Sequence, residues 1–331
     1  MLLNRTKDGE HSEPDPLNGT PADHFGVGGA SSNVSKTLEI KVEAPHVFRT
    51  PEKMEFLVAA LITVCVLVSR TDGGETSADW CYHLPKCSDA TWPYTATKYC
   101  AGKRQSPINI DSSAAEADCS LTAFSFVNFD NKFSLKSITN TGRTVKVGFY
   151  RGVKISGGGL SEEYDSLQFH LHWGNGFAVP GSEHTVDRKR YPMELHIVSM
   201  KSSYNGNISL AVADSTGLAV LGFFIDVRAS GPASEPASWT KLTSYLSKIP
   251  TKGDMAGIAP GISLDELLEG VDRTKYYRYL GSLTTPMCNE AVVWTVFKEP
   301  IQISRELVSF FLFFWELNSD LCCITKRGTL H

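Results

Sequence analysis

From about Trp80 to about Glu306, apolar and polar residues exchange places at every second position over short stretches, and Gly, Asn, Ser and Pro separate one stretch from the next. Successive side chains of an extended strand point to opposite faces, so such stretches fold as strands with one face buried, and the region reads as a β-rich domain. Strands are expected over Thr144 to Tyr150, Ser166 to Trp173, Met193 to Met200, Leu218 to Val227 and Val292 to Phe297. Turn residues sit between them, as at Asn140-Thr141-Gly142 and Gly157-Gly158-Gly159. Two segments carry helical spacing instead. Trp239, Leu242, Leu246 and Ile249 recur on one face before Pro250, and Ser263 with Glu266 forms a capping box ahead of Leu267 and Leu268, closed by Gly270. No internal repeat points to a solenoid or propeller.

Two of the strands carry more than packing. In Gln168-Phe169-His170-Leu171-His172-Trp173 the polar side chains share one face, and Phe169, Leu171 and Trp173 share the other. Met193-Glu194-Leu195-His196-Ile197-Val198 repeats the design, with Glu194, His196 and Val198 together. If the two strands are neighbours, three imidazoles converge with an amide and a carboxylate behind them. Zn2+ suits that set, since it binds three neutral imidazoles and leaves a fourth tetrahedral position open to water. Gln168 and Glu194, each two residues before a histidine on the same face, are acceptors of the type that fixes a ligating ring. One histidine alone would read as polar filling between strands; three with matched acceptors read as a metal site.

Termini and composition bound the rest. An apolar run of thirteen residues, Phe56 to Val68, follows Met54 and precedes a polar, small-residue stretch, which is the shape of a signal peptide core and is short for a membrane span. Residues 1–53, rich in Gly, Ser, Pro and charge, read as a disordered extension ahead of a true start at Met54. The domains expected are therefore 1–53 as extension, 54–78 as signal peptide and linker, 79–306 as the folded domain and 307–331 as an atypical tail. With 32 basic and 36 acidic residues scattered along the chain, no basic stripe presents itself to nucleic acid. Of eight cysteines, Cys81, Cys87, Cys100, Cys119 and Cys288 fall in the folded part, enough for two bridges and one free thiol whose connectivity spacing does not decide.

The motifs Gln168 to Trp173, Ser182-Glu183-His184, Met193 to Val198, Arg104-Gln105-Ser106-Pro107-Ile108-Asn109-Ile110 and Gly281-Ser282-Leu283-Thr284-Thr285-Pro286 closely resemble the α-carbonic anhydrase family, in order and with family-like spacing from about Trp80 to Arg305. Trp80-Cys81-Tyr82, Cys100 and Pro286-Met287-Cys288 look most like its extracellular, membrane-associated type-four branch. The resemblance implies a mainly β (α+β) fold, with a central twisted, mostly antiparallel sheet and short peripheral helices. It implies an enzyme that reversibly hydrates carbon dioxide to bicarbonate and a proton. The zinc ligands are then His170, His172 and His196, with Gln168 and Glu194 behind them. Thr284 accepts a hydrogen bond from the attacking hydroxide and donates to Glu183, Thr285 and the Thr284 backbone N–H hold bicarbonate, and Tyr82 organises water. Val198, Val220, Leu283, Val292 and Trp294 form the apolar pocket for carbon dioxide, and Lys146 lies near the cavity mouth. The disulfides implied are Cys100–Cys288 and Cys81–Cys87, leaving Cys119 over. Asn207-Ile208-Ser209 is an N-glycosylation triplet. A monomer of the secretory pathway is expected, extracellular or on the outer surface of the plasma membrane, with membrane association through the branch it resembles.

Two departures from the family pattern stand out. The position of the proton-shuttling histidine, after the Asn-x-Gly turn, is Arg143, and arginine does not release its proton at physiological pH. After Glu306 the resemblance ends, and the late strand and the backbone carbonyl that orient His172 in the family have no counterpart. For a chain ending in this way, weakened zinc retention and an exposed apolar patch are expected. The alternatives are a truncated, acatalytic or weakly active binding module of the same fold, and a zinc hydrolase of other chemistry. Intact zinc histidines with Thr284 and Glu183 favour the anhydrase over both.

Overall fold

Alternation becomes pairing in the structure, a computed structural model that describes Trp80 and residues 91–95, 99–175, 177–228 and 236–318. The extension 1–53, the signal-like segment 54–78, Tyr82, the Cys81–Cys87 pair and the tail from 319, with Cys322 and Cys323, lie outside the described residues. Among the described residues thirteen strands follow one another: β1 Asn109–Ile110, β2 Phe124–Val127, β3 Leu135–Asn140, β4 Val145–Phe149, β5 Lys154–Gly157, β6 Tyr164–Trp173, β7 Thr185–Val186, β8 Lys189–Arg190, β9 Met193–Lys201, β10 Leu218–Val227, β11 Met255–Gly257, β12 Tyr276–Gly281 and β13 Val292–Ile303. Ten form one sheet in the order β11-β3-β4-β6-β9-β10-β13-β12, with β5 pairing with β6 and β2 with β5 off this path. Its pairs are antiparallel except β10 with β13, which makes the sheet mixed. β10 has the expected bounds, whereas β13 runs on to Ile303 because its apolar alternation continues through Ile301 and Ile303, both buried.

The two faces of this sheet have different tasks. Val145, Val147, Phe169, Leu171, Leu195, Ile197, Leu221 and Phe223 point into the main core, which is closed by the helices Ala237–Ser244 and Leu264–Leu267. The Ser263 hydroxyl caps the second helix by accepting from the Glu266 N–H at 3.2 Å. The box is only half closed, because the Glu266 carboxylate turns to Ser238 and Lys132. The opposite face carries the histidines and a smaller apolar cluster built on Val220, Val292, Trp294 and Val296.

A domain end at 306 does not match the packing. The helix Arg305–Asn318 straddles it, and Leu307, Val308, Phe311, Leu312 and Phe314 are buried in the main core. Their spacing places them on one helical face, and the segment therefore closes the sheet rather than trailing from it. Ser304 starts this helix, its hydroxyl accepting from the Leu307 N–H at 3.1 Å. Phe310 and Phe313, on the other face, are 59% and 58% exposed, so an apolar patch exists but is the outer half of a docked helix. Among the described residues no helix is long and apolar enough to cross a membrane.

Candidate metal centre

β6 and β9 are antiparallel neighbours in a register that sets His170 opposite His196 and His172 opposite Glu194. Directly opposed residues share a face, so the three imidazoles meet. Their ring centroids lie 4.9 Å (His170–His172), 5.3 Å (His170–His196) and 4.6 Å (His172–His196) apart, and one nitrogen from each lies within 4.8 Å of the others. The rings are held from behind as well. His170 Nδ1 donates to Gln168 Oε1 at 3.1 Å and His196 Nε2 to Glu194 Oε1 at 2.7 Å, leaving His170 Nε2 and His196 Nδ1 as bare acceptors. Gly222 faces His196 across the β9–β10 pair. A Cβ there would come within 3.3 Å of Glu194 Oε1, so the missing side chain gives the carboxylate its space.

Burial, and then the charge of His196, push the His170 imidazole down to about 3. Burial likewise holds His172 well below, and His196 below, the usual histidine range. All three are neutral at physiological pH, the form in which imidazole binds a metal. Burial also works against ionisation of Glu194, but His184 and His196 outweigh it and keep this carboxyl well below the ordinary range. Glu183 goes the other way, pushed well up by burial and by the Glu194 charge, with Thr284 and Arg190 opposing. Its Oε1 is 3.4 Å from His172 Nδ1 and its Oε2 3.7 Å from His196 Nδ1, and Oε2 is buried without a hydrogen-bond partner among the described residues. A dication at the imidazoles would favour the carboxylate form.

Behind Glu194 runs a chain of groups that the sequence does not announce. Glu194 Oε1 also accepts from His184 Nδ1 at 2.7 Å, and Oε2 from the His184 backbone N–H at 2.9 Å. With Nδ1 donating, His184 Nε2 accepts from the Tyr279 hydroxyl at 2.6 Å, and Tyr279 accepts from Ser106 Oγ at 2.8 Å. Ser106 Oγ accepts the Ser282 N–H at 3.0 Å, which joins the chain to the segment before Thr284. A second potential metal trio, His184, Glu194 and His196, overlaps this chain, but its atoms are already hydrogen-bonded to one another. The first trio is the one whose donors fit zinc: neutral imidazoles with bare nitrogens and a buried carboxylate oxygen beside them.

A family model described as eukaryotic-type carbonic anhydrase matches residues 87–317. The chain belongs to that family. It is 41% identical to carbonic anhydrase 12 of Homo sapiens over 233 residues, which are 69% of this chain and 61% of that protein. It is 37% identical to carbonic anhydrase 4 of Oryctolagus cuniculus over 230 residues, 69% of this chain and 72% of that one. Carbonic anhydrase 4 of Rattus norvegicus is 33% identical over 256 residues, with 76% and 79% covered. The chain thus spans less than two thirds of the length of the human relative.

Measured against the family expectations, the structure brings Val198, Val220, Leu283, Val292 and Trp294 into one apolar cluster on the histidine face. Trp294 stacks edge-on to His196, centroids 4.8 Å apart. Thr284 is buried, and the loop it shares with Thr285 is pinned by the Cys288 N–H donating to Thr285 O at 2.9 Å. Cys288 is bonded to Cys100, and this pair packs with Trp92 and Trp80. Cys119 is a free, exposed thiol. Arg143 lies 4.1 Å from the centre of the Trp80 indole, and its Nε and Nη2 donate to the Trp80 carbonyl at 3.0 and 2.9 Å. Asn207 is exposed and caps the helix Ile208–Ala211 through Oδ1. Tyr279 and Ser106 are the functional neighbours that sequence reasoning missed; the signal available was Tyr279 two positions before Gly281, on the motif strand itself.

Proposed function

We propose that this chain is a zinc-dependent carbonic anhydrase that reversibly hydrates carbon dioxide to bicarbonate and a proton. The observation that carries this reading is the convergence of His170, His172 and His196 with their nitrogens within 4.8 Å of one another on the face that also holds the apolar cluster. Bound zinc would supply Lewis acidity, making water a nucleophile near neutral pH. Gln168 and Glu194 fix the tautomers of His170 and His196 so that the bare nitrogens face the centre. Thr284 accepts a hydrogen bond from the attacking hydroxide and donates to Glu183, which aims the hydroxide lone pair at the substrate. Val198, Val220, Leu283, Val292 and Trp294 offer carbon dioxide, an uncharged and weakly hydrated molecule, a surface without competing polar groups. Thr285 and the Thr284 backbone N–H hold the bicarbonate formed.

A destination in the secretory pathway belongs to the same reading, supported by the apolar run Phe56 to Val68 and by the Cys100–Cys288 bond, which persists in oxidising compartments. Glycosylation at Asn207 fits the exposure of that side chain. Peptide mapping of the secreted protein without reductant is expected to recover Cys100 joined to Cys288, and glycosidase treatment to lower the mass of the Asn207 peptide.

The decisive experiment combines a zinc assay with stopped-flow carbon dioxide hydration, with and without a sulfonamide. One zinc per chain and inhibitable hydration are expected. A His196→Ala variant that hydrates as fast as its parent, or active protein without zinc, overturns the proposal. Zinc binding without hydration would mark the binding-module alternative.

A further inference from the structure

We propose that Lys146 and the amide of Gln168 form a subsite for a small oxyanion at the cavity mouth, and that the proton released in each turnover is carried off by an anionic buffer docked there. The inference rests on the anhydrase reading and deepens it by naming the class of proton acceptor. Its first ground is register. Lys146 is the cross-strand partner of His170 in the β4–β6 pair, and the next position on the same face sets Gly148 opposite Gln168. Val145 and Val147, flanking Lys146, are fully buried in the main core, so β4 cannot roll and the Lys146 stem is committed to the histidine face.

The second ground is that this charge has no internal counterpart. Lys154, Lys189, Lys201 and Lys275 each sit against a carboxylate, whereas exposed Lys146 makes no ion pair or hydrogen bond among the described residues. The third ground is a second donor beside it. Because Gln168 Oε1 is turned to His170 Nδ1, the planar amide turns Nε2 the other way, and no hydrogen bond among the described residues engages it. Gly148 adds no side chain between the two donors, and a Cβ there would touch only Ser137 Oγ, at 3.5 Å. An ammonium and an amide N–H2 beside an open backbone suit the oxygens of a phosphate or carboxylate.

Arg143 explains why such a site is needed. Its guanidinium is held on the Trp80 carbonyl and indole, and arginine does not relay protons at physiological pH, so the position after the Asn-x-Gly turn supplies no acceptor. The proton therefore passes through water to a docked base. For hydrogen phosphate the balance is simple: the dianion takes one proton, leaves as the dihydrogen monoanion with weaker attraction to Lys146, and bicarbonate leaves separately.

The test compares the parent with Lys146→Gln and Lys146→Arg at constant ionic strength, varying phosphate in one series and imidazole in another. The half-saturating phosphate concentration is expected to rise roughly fivefold in Lys146→Gln and to hold in Lys146→Arg, while the imidazole dependence stays the same in all three. Phosphate binding is read independently of turnover from 31P line broadening, expected in the parent and diminished in Lys146→Gln. Equal phosphate dependence in parent and Lys146→Gln, or parallel losses toward both buffers, overturns the proposal, as does broadening that ignores the substitution. If the chain does not hydrate carbon dioxide at all, the anhydrase reading fails while the 31P comparison still decides whether the anion subsite exists.

Discussion

Glu194 grips His184 twice, one carboxylate oxygen on the ring Nδ1 at 2.7 Å and the other on the backbone N–H at 2.9 Å, and the first of these oxygens also takes His196 Nε2. A carboxylate can accept all three because neither oxygen carries a proton; a carboxamide has one accepting oxygen and a donating nitrogen. Glu194→Gln is therefore expected either to set its N–H2 against the His184 backbone N–H or, turned over, to strip both rings of their acceptor, and to lower zinc affinity about 10- to 100-fold, the usual cost of removing a group that orients a ligating histidine. Competition against a chelator measures it, and unchanged affinity would remove Glu194 from the metal site.

The three neutral imidazoles give the zinc-free protein a direction of acid sensitivity. Each has a folded pKa below its value in the unfolded chain, so the unfolded state binds the extra proton as pH falls below about 6.5, and for His170 this continues to about 3. Stability is complete above that window and falls within it, by at most about 1.4 kcal/mol per pH unit for each imidazole. Glu183 acts in the opposite sense above the ordinary carboxylate range, holding a proton that the unfolded chain has lost. Three groups against one leave a net loss. The melting temperature of zinc-free protein is expected to drop between pH 7 and pH 5, and a flat profile contradicts the neutral-trio assignment.

Tyr279→Phe removes the donor to His184 Nε2 without changing shape. Burial raises the pKa of the Tyr279 hydroxyl against the Ser106 hydrogen bond, so it is present as a donor at any working pH. Its loss leaves a buried acceptor unsatisfied, expected to cost about 1–3 kcal/mol in denaturant unfolding. Ser106→Ala is expected to fall in the same direction because the Ser282 N–H loses its acceptor.

Arg143→His places a titratable ring on the turn that the family uses for proton relay. Turnover at low buffer concentration is expected to rise, about tenfold or more, while the dependence on added buffer flattens. Stopped-flow measurement across a buffer series checks this, and an unaltered buffer dependence would show that the 143 position does not face the proton path.

How much of this could be seen before the fold was known differs from group to group. His170, His172 and His196 were legible because the period of a strand places i and i+2 on one face, and the acceptors Gln168 and Glu194 were visible for the same reason. The Ser106–Tyr279–His184 chain was not, since Ser106 and Tyr279 meet across 173 positions of sequence, and no local pattern encodes that contact. Lys146 beside His170 depends on the β4–β6 register, which is set with β5 intervening in sequence. The Arg305–Asn318 helix was hidden differently: Leu307 to Trp315 is so uniformly apolar that its helical stripe does not contrast with the outer face.

Phe311 of that helix sits between two indoles, 5.9 Å from Trp173 and 6.3 Å from Trp239. Undocking the helix would bring water to both rings, so ultraviolet emission from these tryptophans offers an optical gauge of the seam. Trp173 directly follows His172, which lets a single fluorescence trace follow the closing of the carboxyl-terminal flank while a chelator reports separately on the ion.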